Sequence, residues 1–450
     1  MERTVNKNKA NIYISDDQSK VLDIVKLGGN VYFTGPAGTG KTTLVDAIRQ
    51  LYPSLSVVAP TGVAALNIDG STIHSFFGLP YGPYYIDELN LEDEDKLKGL
   101  AQLTIIIFDE ISMMTPDLFE ATEYLCRIAT KRYLPNISED KPFGGKQIIM
   151  CGDFSQLPPV AKGKSRHFYT GEYEHSSPFI FHSLLWREMD FRCCKLTTQH
   201  RQIGQEQACF RYALERIRKG EVNDLDFFDS NVKTGADDNA LIITTVNSIA
   251  KKTNEKKLKR LLIHGAINKN YHAQHSPLFP KEIFNSHGDP AIHCLKLCIG
   301  ARVMTTINNY DEGYVNGSIG TVVSLNKRSV DILLDNGAII TVTSYTWSKS
   351  MVEGLIPPSK IKKTVLAEGT FFSQLPLKLA WAVTVHKSQG ATYDKVHIEF
   401  GDKYCFSHGQ LYVALSRCRT IEGMSMSRKL SSRDVHFSEE VRVFEEAFGL

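Results

Sequence analysis

The residues from Gly35 to Thr42 have the types and the spacing that phosphate binding requires. A glycine-rich backbone turns tightly enough for consecutive N–H groups to point at phosphate oxygens, and the positive end of a following helix adds to the attraction. A lysine at the end of such a loop reaches the β- and γ-phosphates, and the next hydroxyl is a ligand for Mg²⁺. With a strand predicted before it and a helix after it, this Walker A pattern is a better interpretation than a chance turn. The predicted nucleotide-binding residues are Gly35, Pro36, Ala37, Gly38, Thr39, Gly40, Lys41 and Thr42.

Two adjacent carboxylates follow a short apolar run further along the chain. Residues 104–108 read Thr-Ile-Ile-Ile-Phe, and Asp109 and Glu110 come directly after them. The carboxyl end of a buried strand is where α/β sheets place their chemistry, whereas an isolated Asp-Glu pair is usually a solvated surface pair. We therefore interpret Asp109 as a ligand of Mg²⁺, together with Thr42, and Glu110 as the base that orients an attacking water.

A third polar group lies at the end of another predicted strand. Residues 151–159 read Cys-Gly-Asp-Phe-Ser-Gln-Leu-Pro-Pro, which lets Asp153 and Gln156 face the same nucleotide. The amide of Gln156 is a neutral donor suited to sensing a γ-phosphate, and the two prolines restrict the loop. A rigid turn without a ligand is the alternative interpretation.

Short apolar runs that alternate with longer helical segments must position these groups. The runs are brief, partly β-branched and bounded by Gly, Pro or Asp, which is typical of buried strands. Those of a first sheet are residues 31–34, 55–59, 104–108 and 147–151, and those of a second are 241–245, 380–385 and 395–400. This alternation predicts an α/β protein with parallel sheets covered by helices.

Two segments differ from this alternation and are predicted to be insertions. Residues 318–325, 330–334 and 338–343 are short strands joined by tight turns such as Asp335-Asn-Gly337, which indicates a small antiparallel unit. Residues 79–100, between two strands of the first sheet, are rich in Tyr, Pro and acidic residues.

The composition is that of an ordinary globular protein and leaves the partner open. The chain has 450 residues, enough for two or three domains, with 42% hydrophobic and 23% charged residues. The formal net charge of +2 neither indicates nor excludes nucleic acid, because a basic groove can lie on a neutral whole. No apolar run is long enough to span a bilayer, and residues 1–11 lack the apolar core of a secretory signal. We expect a soluble intracellular protein without a membrane partner.

Nine cysteines, an odd number, are predicted to be reduced thiols rather than a disulfide framework. Residues 264–298 are rich in potential zinc ligands, but their spacing matches no common zinc pattern. A polar loop region with two buried cysteines is therefore favoured over a zinc site. The residues concerned are His264, His272, His275, His287, His293, Cys294 and Cys298.

Taken together, the motifs resemble those of a superfamily-one class B DNA helicase, specifically of the petite integration frequency (PIF) family. The resemblance rests on blocks that occur in the expected order over nearly the whole chain, so that a chance match is negligible. The blocks are residues 35–42, 59–65 with 72–76, 108–112, 142–160, 196–202, 315–317, 377–390 and 410–417.

The resemblance implies two RecA-like parallel-sheet domains that hold ATP and Mg²⁺ between them. In this chain the first would be residues 1–185, with a small wedge insertion at about 79–100. The second would be residues 186–450, with a small β-barrel insertion at about 311–375. Gln18 matches the family's adenine-reading glutamine, and Arg201 and Arg417 match its two arginine fingers. The implied catalytic set is Lys41, Asp109, Glu110, Gln156, Arg201 and Arg417.

The resemblance further implies 5′-to-3′ movement on single-stranded DNA and unwinding of duplex or G-quadruplex DNA in replication, recombination or repair. Both domains would grip the strand, with small hydroxyls on phosphates and with His74 and Phe76 on bases, whereas Phe77 is expected in the core. The implied DNA-contacting residues are Pro60, Thr61, Gly62, His74, Ser75, Phe76, Thr384, His386, Lys387, Ser388 and Gln389. Single-stranded and forked DNA are the implied partners of a monomer, in the nucleus or mitochondrion of a eukaryote or in the host cell of a virus.

Two other classes of protein stay open at this point. The first is a phosphate-loop ATPase that never translocates, against which the second domain's residues 386–390 and Arg417 argue. The second is a DNA-binding scaffold without hydrolysis, against which the intact Lys41 and Glu110 argue. RNA also stays open as a substrate, because phosphate contacts distinguish it poorly from DNA.

Overall fold

The computed structural model describes residues 3–7, 10–52, 54–79, 83–86, 89, 93–135, 141–159, 177–200, 205–237, 239–276, 293–309, 311–347 and 370–450. The α-helices of these residues are α1 (Asp16–Lys26), α2 (Lys41–Leu51), α3 (Gly62–Asn67), α4 (Ile73–Phe77), α5 (Glu94–Gln102), α6 (Pro116–Tyr133), α7 (Leu184–Glu188), α8 (Gln205–Arg218), α9 (Asn247–Ile263), α10 (Val385–Ser388), α11 (Gln410–Ser416) and α12 (Glu439–Phe448). Within these residue ranges, no helix is long and apolar enough to cross a bilayer.

The β-strands form two parallel sheets and several antiparallel ones. In chain order they are β1 (Arg3–Lys7), β2 (Ala10–Ile14), β3 (Val31–Thr34), β4 (Leu55–Ala59), β5 (Ser71–Thr72), β6 (Ile105–Phe108), β7 (Gln147–Cys151), β8 (Arg192–Lys195), β9 (Leu241–Thr244), β10 (Asn268–His272), β11 (Gln274–His275), β12 (Cys294–Cys298), β13 (Arg302–Thr305), β14 (Ile319–Leu325), β15 (Ser329–Leu334), β16 (Ile339–Thr343), β17 (Tyr345–Trp347), β18 (Phe372–Gln374), β19 (Leu377–Leu379), β20 (Ala382–Thr384), β21 (Val396–Glu399) and β22 (Met424–Met426).

The first parallel sheet has six strands in the order β5-β4-β6-β7-β3-β8. The four strands predicted for it are confirmed, and all four residues of β3 and of β6 are buried, as their apolar runs require. Because β7 lies between β3 and β6, the carboxyl ends of these three strands meet at one edge. β8 pairs with β3 and so extends this sheet past residue 185, where the domain boundary was predicted.

The second parallel sheet has four strands in the order β20-β9-β21-β22. It contains the three predicted strands, and β22 adds a fourth. A five-stranded antiparallel sheet in the order β16-β15-β14-β13-β19 confirms the predicted small antiparallel unit. Its turn at Gly337 has φ 88°, in the left-handed region that glycine tolerates. These sheets confirm the fold class: α/β, with two RecA-like parallel-sheet domains and an antiparallel unit associated with the second.

Part of the predicted wedge insertion lies outside the described residues, namely 80–82, 87–88 and 90–92. Among the described residues of this segment, Tyr84 is buried in the apolar core of the first sheet, and so is Leu97, which belongs to α5. This part of the segment is therefore anchored on the first domain.

The last helix, α12, returns to the first sheet. Val441 and Phe444 belong to the apolar cluster that covers this sheet. The ring of Phe444 lies 5.4 Å from that of Phe154 and 4.4 Å from that of Phe181, centroid to centroid. The end of the chain therefore packs beside the loop that follows β7.

Candidate nucleotide and nucleic-acid site

The segment after β3 forms the predicted phosphate loop, and α2 begins at Lys41 directly after it. Gly40 has φ 75°, and a Cβ at this position would lie 2.6 Å from Nε2 of Gln18. Lys41 Nζ donates to the carbonyl oxygens of Gly35 at 2.5 Å and of Pro36 at 3.1 Å, so the ammonium group lies over the loop. The loop thus brings a lysine charge and a helix N-terminus together, which suits a polyphosphate.

Gln18 is buried beside this loop. Its Nε2 donates to the carbonyl of Gly40 at 3.1 Å, and its Oε1 accepts from the backbone N–H of Ser15 at 3.0 Å. The side chain therefore joins α1 to the phosphate loop, which fits the predicted position next to a nucleotide. Its reading of adenine stays a prediction.

The two predicted carboxylates follow β6 at the same edge of the sheet. Burial, together with the neighbouring charge of Glu110, raises the pKa of Asp109 to about 6. Glu110 has φ 52°, a strained backbone conformation for a residue with a side chain and one often found at functional sites. A divalent cation would offset the repulsion between these carboxylates, and carboxylate and hydroxyl oxygens are ligands that Mg²⁺ accepts. Asp109 and Thr42 are the residues that would hold it.

Gln156 lies in the turn after β7 and is 3% exposed. Its Oε1 is buried and has no hydrogen-bond partner among the described residues, and the same holds for Gln199 Oε1 and His200 Nε2. His200 packs on the phosphate loop, because its backbone N–H donates to the carbonyl of Gly38 at 2.9 Å. A buried polar atom without a partner costs about 1–3 kcal/mol, so these atoms fit a polar ligand at this place.

Asp153 does not face a nucleotide as predicted, because its carboxylate has a different partner. Its carboxylate pairs with the guanidinium of Arg218 at 2.9 Å, and neither side chain is exposed. It therefore supports the turn that carries Gln156 rather than facing a nucleotide.

The second domain meets the phosphate loop through α11. Tyr412 Oη accepts from the backbone N–H of Ala37 at 3.2 Å. A cavity of about 320 Å³ adjoins this contact and is lined by residues of both halves, among them Pro36, Gln199 and Glu215. Sequence reasoning missed Tyr412 and His200, although both lie inside motif blocks that it had singled out.

Arg417 follows α11 and is held by its own domain. Its guanidinium donates to the carbonyl oxygens of Val413 at 2.9 Å and Ala391 at 3.0 Å, and to Ser416 Oγ at 2.8 Å. Burial lowers the pKa of Arg417, while the charge of Glu110 opposes that effect. The second predicted finger, Arg201, lies outside the described residues.

The predicted DNA-contacting residues of the first domain follow β4 and occupy α4. Ser75 is exposed, His74 and Phe76 are half-buried, and Phe77 is fully buried, as expected for a core residue. A Cβ at Gly62 would lie 2.6 Å from the carbonyl oxygen of Asn316, so the segment after β4 touches the turn before β14. Pro60 and Thr61 are half-buried in the same segment.

The predicted DNA-contacting residues of the second domain lie at the end of β20 and directly after it. His386 and Lys387 are half-buried, whereas Thr384, Ser388 and Gln389 are buried. Lys387 lies beside Lys378 of β19; burial and this neighbouring charge hold the pKa of Lys378 well below its usual range.

The cysteine- and histidine-rich stretch departs in part from the expectation. Cys298 is buried as predicted, but the prediction for Cys294 is wrong, because β12 directs its side chain to solvent. His287 lies outside the described residues. Among the residues that the structure describes, no three His, Cys, Asp or Glu side chains gather in a manner that could hold a metal ion.

The fold and this site define a phosphate-loop nucleotide-binding protein with two RecA-like domains. A model of the PIF1-like helicase family matches residues 13–227. The chain is 30% identical over 428 residues to the ATP-dependent DNA helicase Pif1 of Bdellovibrio bacteriovorus, covering 92% of this chain and 88% of that protein. The chain therefore belongs to the PIF1-like helicase family.

Further relatives agree with this assignment. The ATP-dependent DNA helicase PIF1 of Danio rerio is 33% identical over 444 residues, which cover 96% of this chain and 63% of the relative. For the human protein of the same name the identity is 31%, and the match covers 95% of this chain and 64% of the relative. The chain thus spans less than two thirds of the length of these vertebrate relatives.

Solved structures resemble the chain over nearly its whole length. Bacteroides Pif1 bound to single-stranded DNA has a TM-score of 0.81 at 33% identity, with 96% of each chain covered. The Bacteroides enzyme in complex with ADP-AlF3 and single-stranded DNA also has a TM-score of 0.81 at 33% identity, with 97% of each chain covered.

Proposed function

We propose that this chain is an ATP-dependent helicase that moves 5′ to 3′ along single-stranded DNA and unwinds duplex or G-quadruplex DNA. The observation that carries the proposal is contact between the two halves at the phosphate loop and the acidic strand end: Tyr412 on Ala37, and Gln389 on Glu110. A triphosphate bound there touches both halves, so its binding and hydrolysis change how the halves fit together. The family to which the chain belongs supports the same conclusion.

The proposed roles in hydrolysis follow from the positions of the side chains. Lys41 and the loop amides bind the phosphates, and Gln18 binds the adenine. Thr42 and Asp109 hold Mg²⁺, which when bound neutralises phosphate charge. Glu110 orients the attacking water, and Gln156 donates to the γ-phosphate.

The arginines make hydrolysis depend on domain closure. Arg201 and Arg417 stabilise the charge that develops on the transferred phosphoryl group, an effect typically of about 10³–10⁵ in rate. Arg417 must exchange its backbone carbonyl partners for phosphate oxygens, which requires the second domain to approach the loop. ATP thereby favours the closed arrangement, and product release favours the open one.

Closure of the two domains moves the protein along DNA because each domain binds the strand separately. Residues 60–62 and 74–76 form the first grip, with His74 and Phe76 against bases. The second grip consists of Thr384, His386, Lys387, Ser388 and Gln389. The wedge at about 79–100 separates the strands of a duplex, and each base-pair step costs about 1.4 kcal/mol of stacking. Forked DNA and folded G-rich strands are the proposed substrates, and a monomer is the proposed active unit.

Strand-separation assays on forks with a single 5′ or 3′ tail test this function. We expect ATP-dependent unwinding of the 5′-tailed fork and none of the 3′-tailed fork; the reverse preference contradicts the polarity. A G-quadruplex with a 5′ tail and an RNA-tailed fork test the range of substrates. The Lys41→Ala protein should bind single-stranded DNA as tightly as wild type yet hydrolyse no ATP.

The same assays separate the alternative functions. ATP hydrolysis that single-stranded DNA does not change favours an ATPase that never translocates. Full activity of Glu110→Gln in cells favours a DNA-binding scaffold without hydrolysis. Either result overturns the proposed function.

A further inference from the structure

Gln389 connects the DNA grip of the second domain to the acidic strand end of the first. It follows α10 directly and is only 2% exposed. Its Nε2 donates to Ser112 Oγ at 2.9 Å and to Glu110 Oε2 at 3.4 Å. Gln389 therefore touches the proposed hydrolytic base instead of the surface on which DNA would lie.

This contact occupies an oxygen that the proposed base needs for hydrolysis. In its proposed role, Glu110 orients the attacking water with a carboxylate oxygen. An amide donor at that oxygen occupies one of its lone pairs and competes with the water for it. Glu110 is at the same time held in a left-handed backbone conformation, at φ 52°.

The contact is also easy to release. The 3.4 Å bond to Glu110 is long, and Oε1 of Gln389 is buried without a partner among the described residues. A buried acceptor without a partner raises the free energy of this arrangement. An alternative position that satisfies the amide oxygen would therefore be close in free energy.

The residues next to Gln389 are among those proposed to bind DNA. His386 and Lys387 occupy α10, immediately before it, and belong to the proposed second grip. On the other side, Asn67 Nδ2 donates to the carbonyl of Gly390 at 2.8 Å, which fixes this end of the segment to the first domain. Movement of the short α10 by a bound strand must therefore be absorbed at Gln389.

We propose that Gln389 is a positioning residue that restrains Glu110 in the absence of DNA and releases it when a strand binds to α10. The inference rests on the proposed function and assigns to this residue the stimulation of ATP hydrolysis by DNA. It removes Gln389 from the set of residues that bind DNA directly. ATP hydrolysis in the absence of DNA is thereby suppressed.

Replacing Gln389 by methionine tests the restraint, because Gln389→Met keeps the side-chain volume and removes the amide. Steady-state ATP hydrolysis is measured without DNA and with saturating oligo-dT. We expect the basal kcat to rise by about threefold, the size of effect that one long hydrogen bond gives. The DNA-saturated kcat and the affinity for oligo-dT stay at the wild-type level, so that the stimulation ratio falls. Gln389→Ala is the second variant should methionine disturb folding.

Asn67→Ala is the matched control, because it removes a contact of the same segment with the first domain without touching Glu110. It should leave the basal rate unchanged. A rise equal to that of Gln389→Met would mean that a loosened interface, rather than the amide, raises the rate, and would overturn the inference. The inference is also overturned if Gln389→Met leaves the stimulation ratio unchanged, or if it lowers kcat equally with and without DNA. Wild-type hydrolysis that does not respond to oligo-dT refutes the proposed function itself, which is a different result.

Discussion

Arg218 and Asp153 form an ion pair in which neither side chain has any exposure to solvent. Arg218 Nε lies 3.1 Å from Asp153 Oδ2, and Nη2 lies 2.9 Å from Oδ1. Burial alone would raise the pKa of Asp153, but the charge of Arg218 lowers it below its ordinary value. The carbonyl of Asp153 accepts from the N–H of Gln156 at 2.9 Å, so the pair stabilises the turn that carries this proposed sensor.

Removing the arginine should destabilise the protein strongly. Arg218→Met leaves the charge of Asp153 buried without its partner, which typically costs about 3–5 kcal/mol. The free energy of unfolding at pH 7, from denaturant titration, measures the loss.

A double variant and a surface pair are the controls for this prediction. Arg218→Met combined with Asp153→Leu should recover only part of the loss. The unpaired aspartate is gone, but Glu445, which also pairs with Arg218 at 2.6 Å, loses this partner in both variants. Arg419→Met breaks the pair between Arg419 and Asp394, whose side chains are 60% and 81% exposed, and should change stability by about 0–1 kcal/mol. If Arg218→Met and Arg419→Met lowered the free energy of unfolding equally, the prediction that the buried pair matters more would be wrong.

The packing of α12 on the first sheet gives a second prediction. Phe444→Ala removes a ring that contacts Phe154 and Phe181, and such truncations typically cost about 3–5 kcal/mol. Val443, its neighbour on the same helix, is 55% exposed, so Val443→Ala should have little effect. Thermal unfolding of both variants tests this; a Phe444→Ala protein as stable as Val443→Ala would show that α12 is dispensable for the first domain.

The sequence predicted the features that depend on neighbours along the chain. The predicted strands of the parallel sheets are short apolar runs that are mostly buried, unlike β5 and β8, which were not predicted. The phosphate loop is a local motif of eight residues, 35–42. Each of these can be recognised without knowing what packs against it. The antiparallel unit was equally recognisable, because a tight turn such as that at Gly337 joins adjacent strands.

The features that the sequence did not predict depend on distant residues. Arg218 and Asp153 are separated by 65 positions, and nothing local in either segment indicates the other. The apolar side of α12 predicts that the helix packs, but not that it packs on the first sheet. Gln389 was assigned to DNA from the family resemblance of its block, residues 377–390, and only the folded arrangement brings it to Glu110.

Gln156 should matter for the rate of hydrolysis rather than for nucleotide affinity. Its side chain is 3% exposed, and its Nε2 is the donor that is proposed to meet the γ-phosphate, a group that only the triphosphate carries. An interaction made mainly in the transition state lowers kcat when it is lost, by roughly 10²–10³ for a well-placed donor. Gln156→Ala should therefore lower the DNA-stimulated kcat about 100-fold while ADP affinity, measured by calorimetry, stays unchanged. Gln207→Ala, which removes an exposed contact with Glu422, is the control; a large change in ADP affinity in Gln156→Ala would contradict the sensor role.

His74 should make the protein less stable in mild acid. Burial lowers the pKa of His74 from 6.5 to about 4. In the unfolded chain the imidazole takes up a proton near its ordinary pKa, whereas in the folded protein it stays neutral until a lower pH. Its contribution to stability is therefore fully present above pH 6.5 and is lost progressively as the pH falls to about 4. Urea midpoints at pH 7.5 and at pH 5 should differ more for wild type than for His74→Gln, which does not titrate in this range. Equal differences for the two proteins would mean that other groups cause the acid sensitivity.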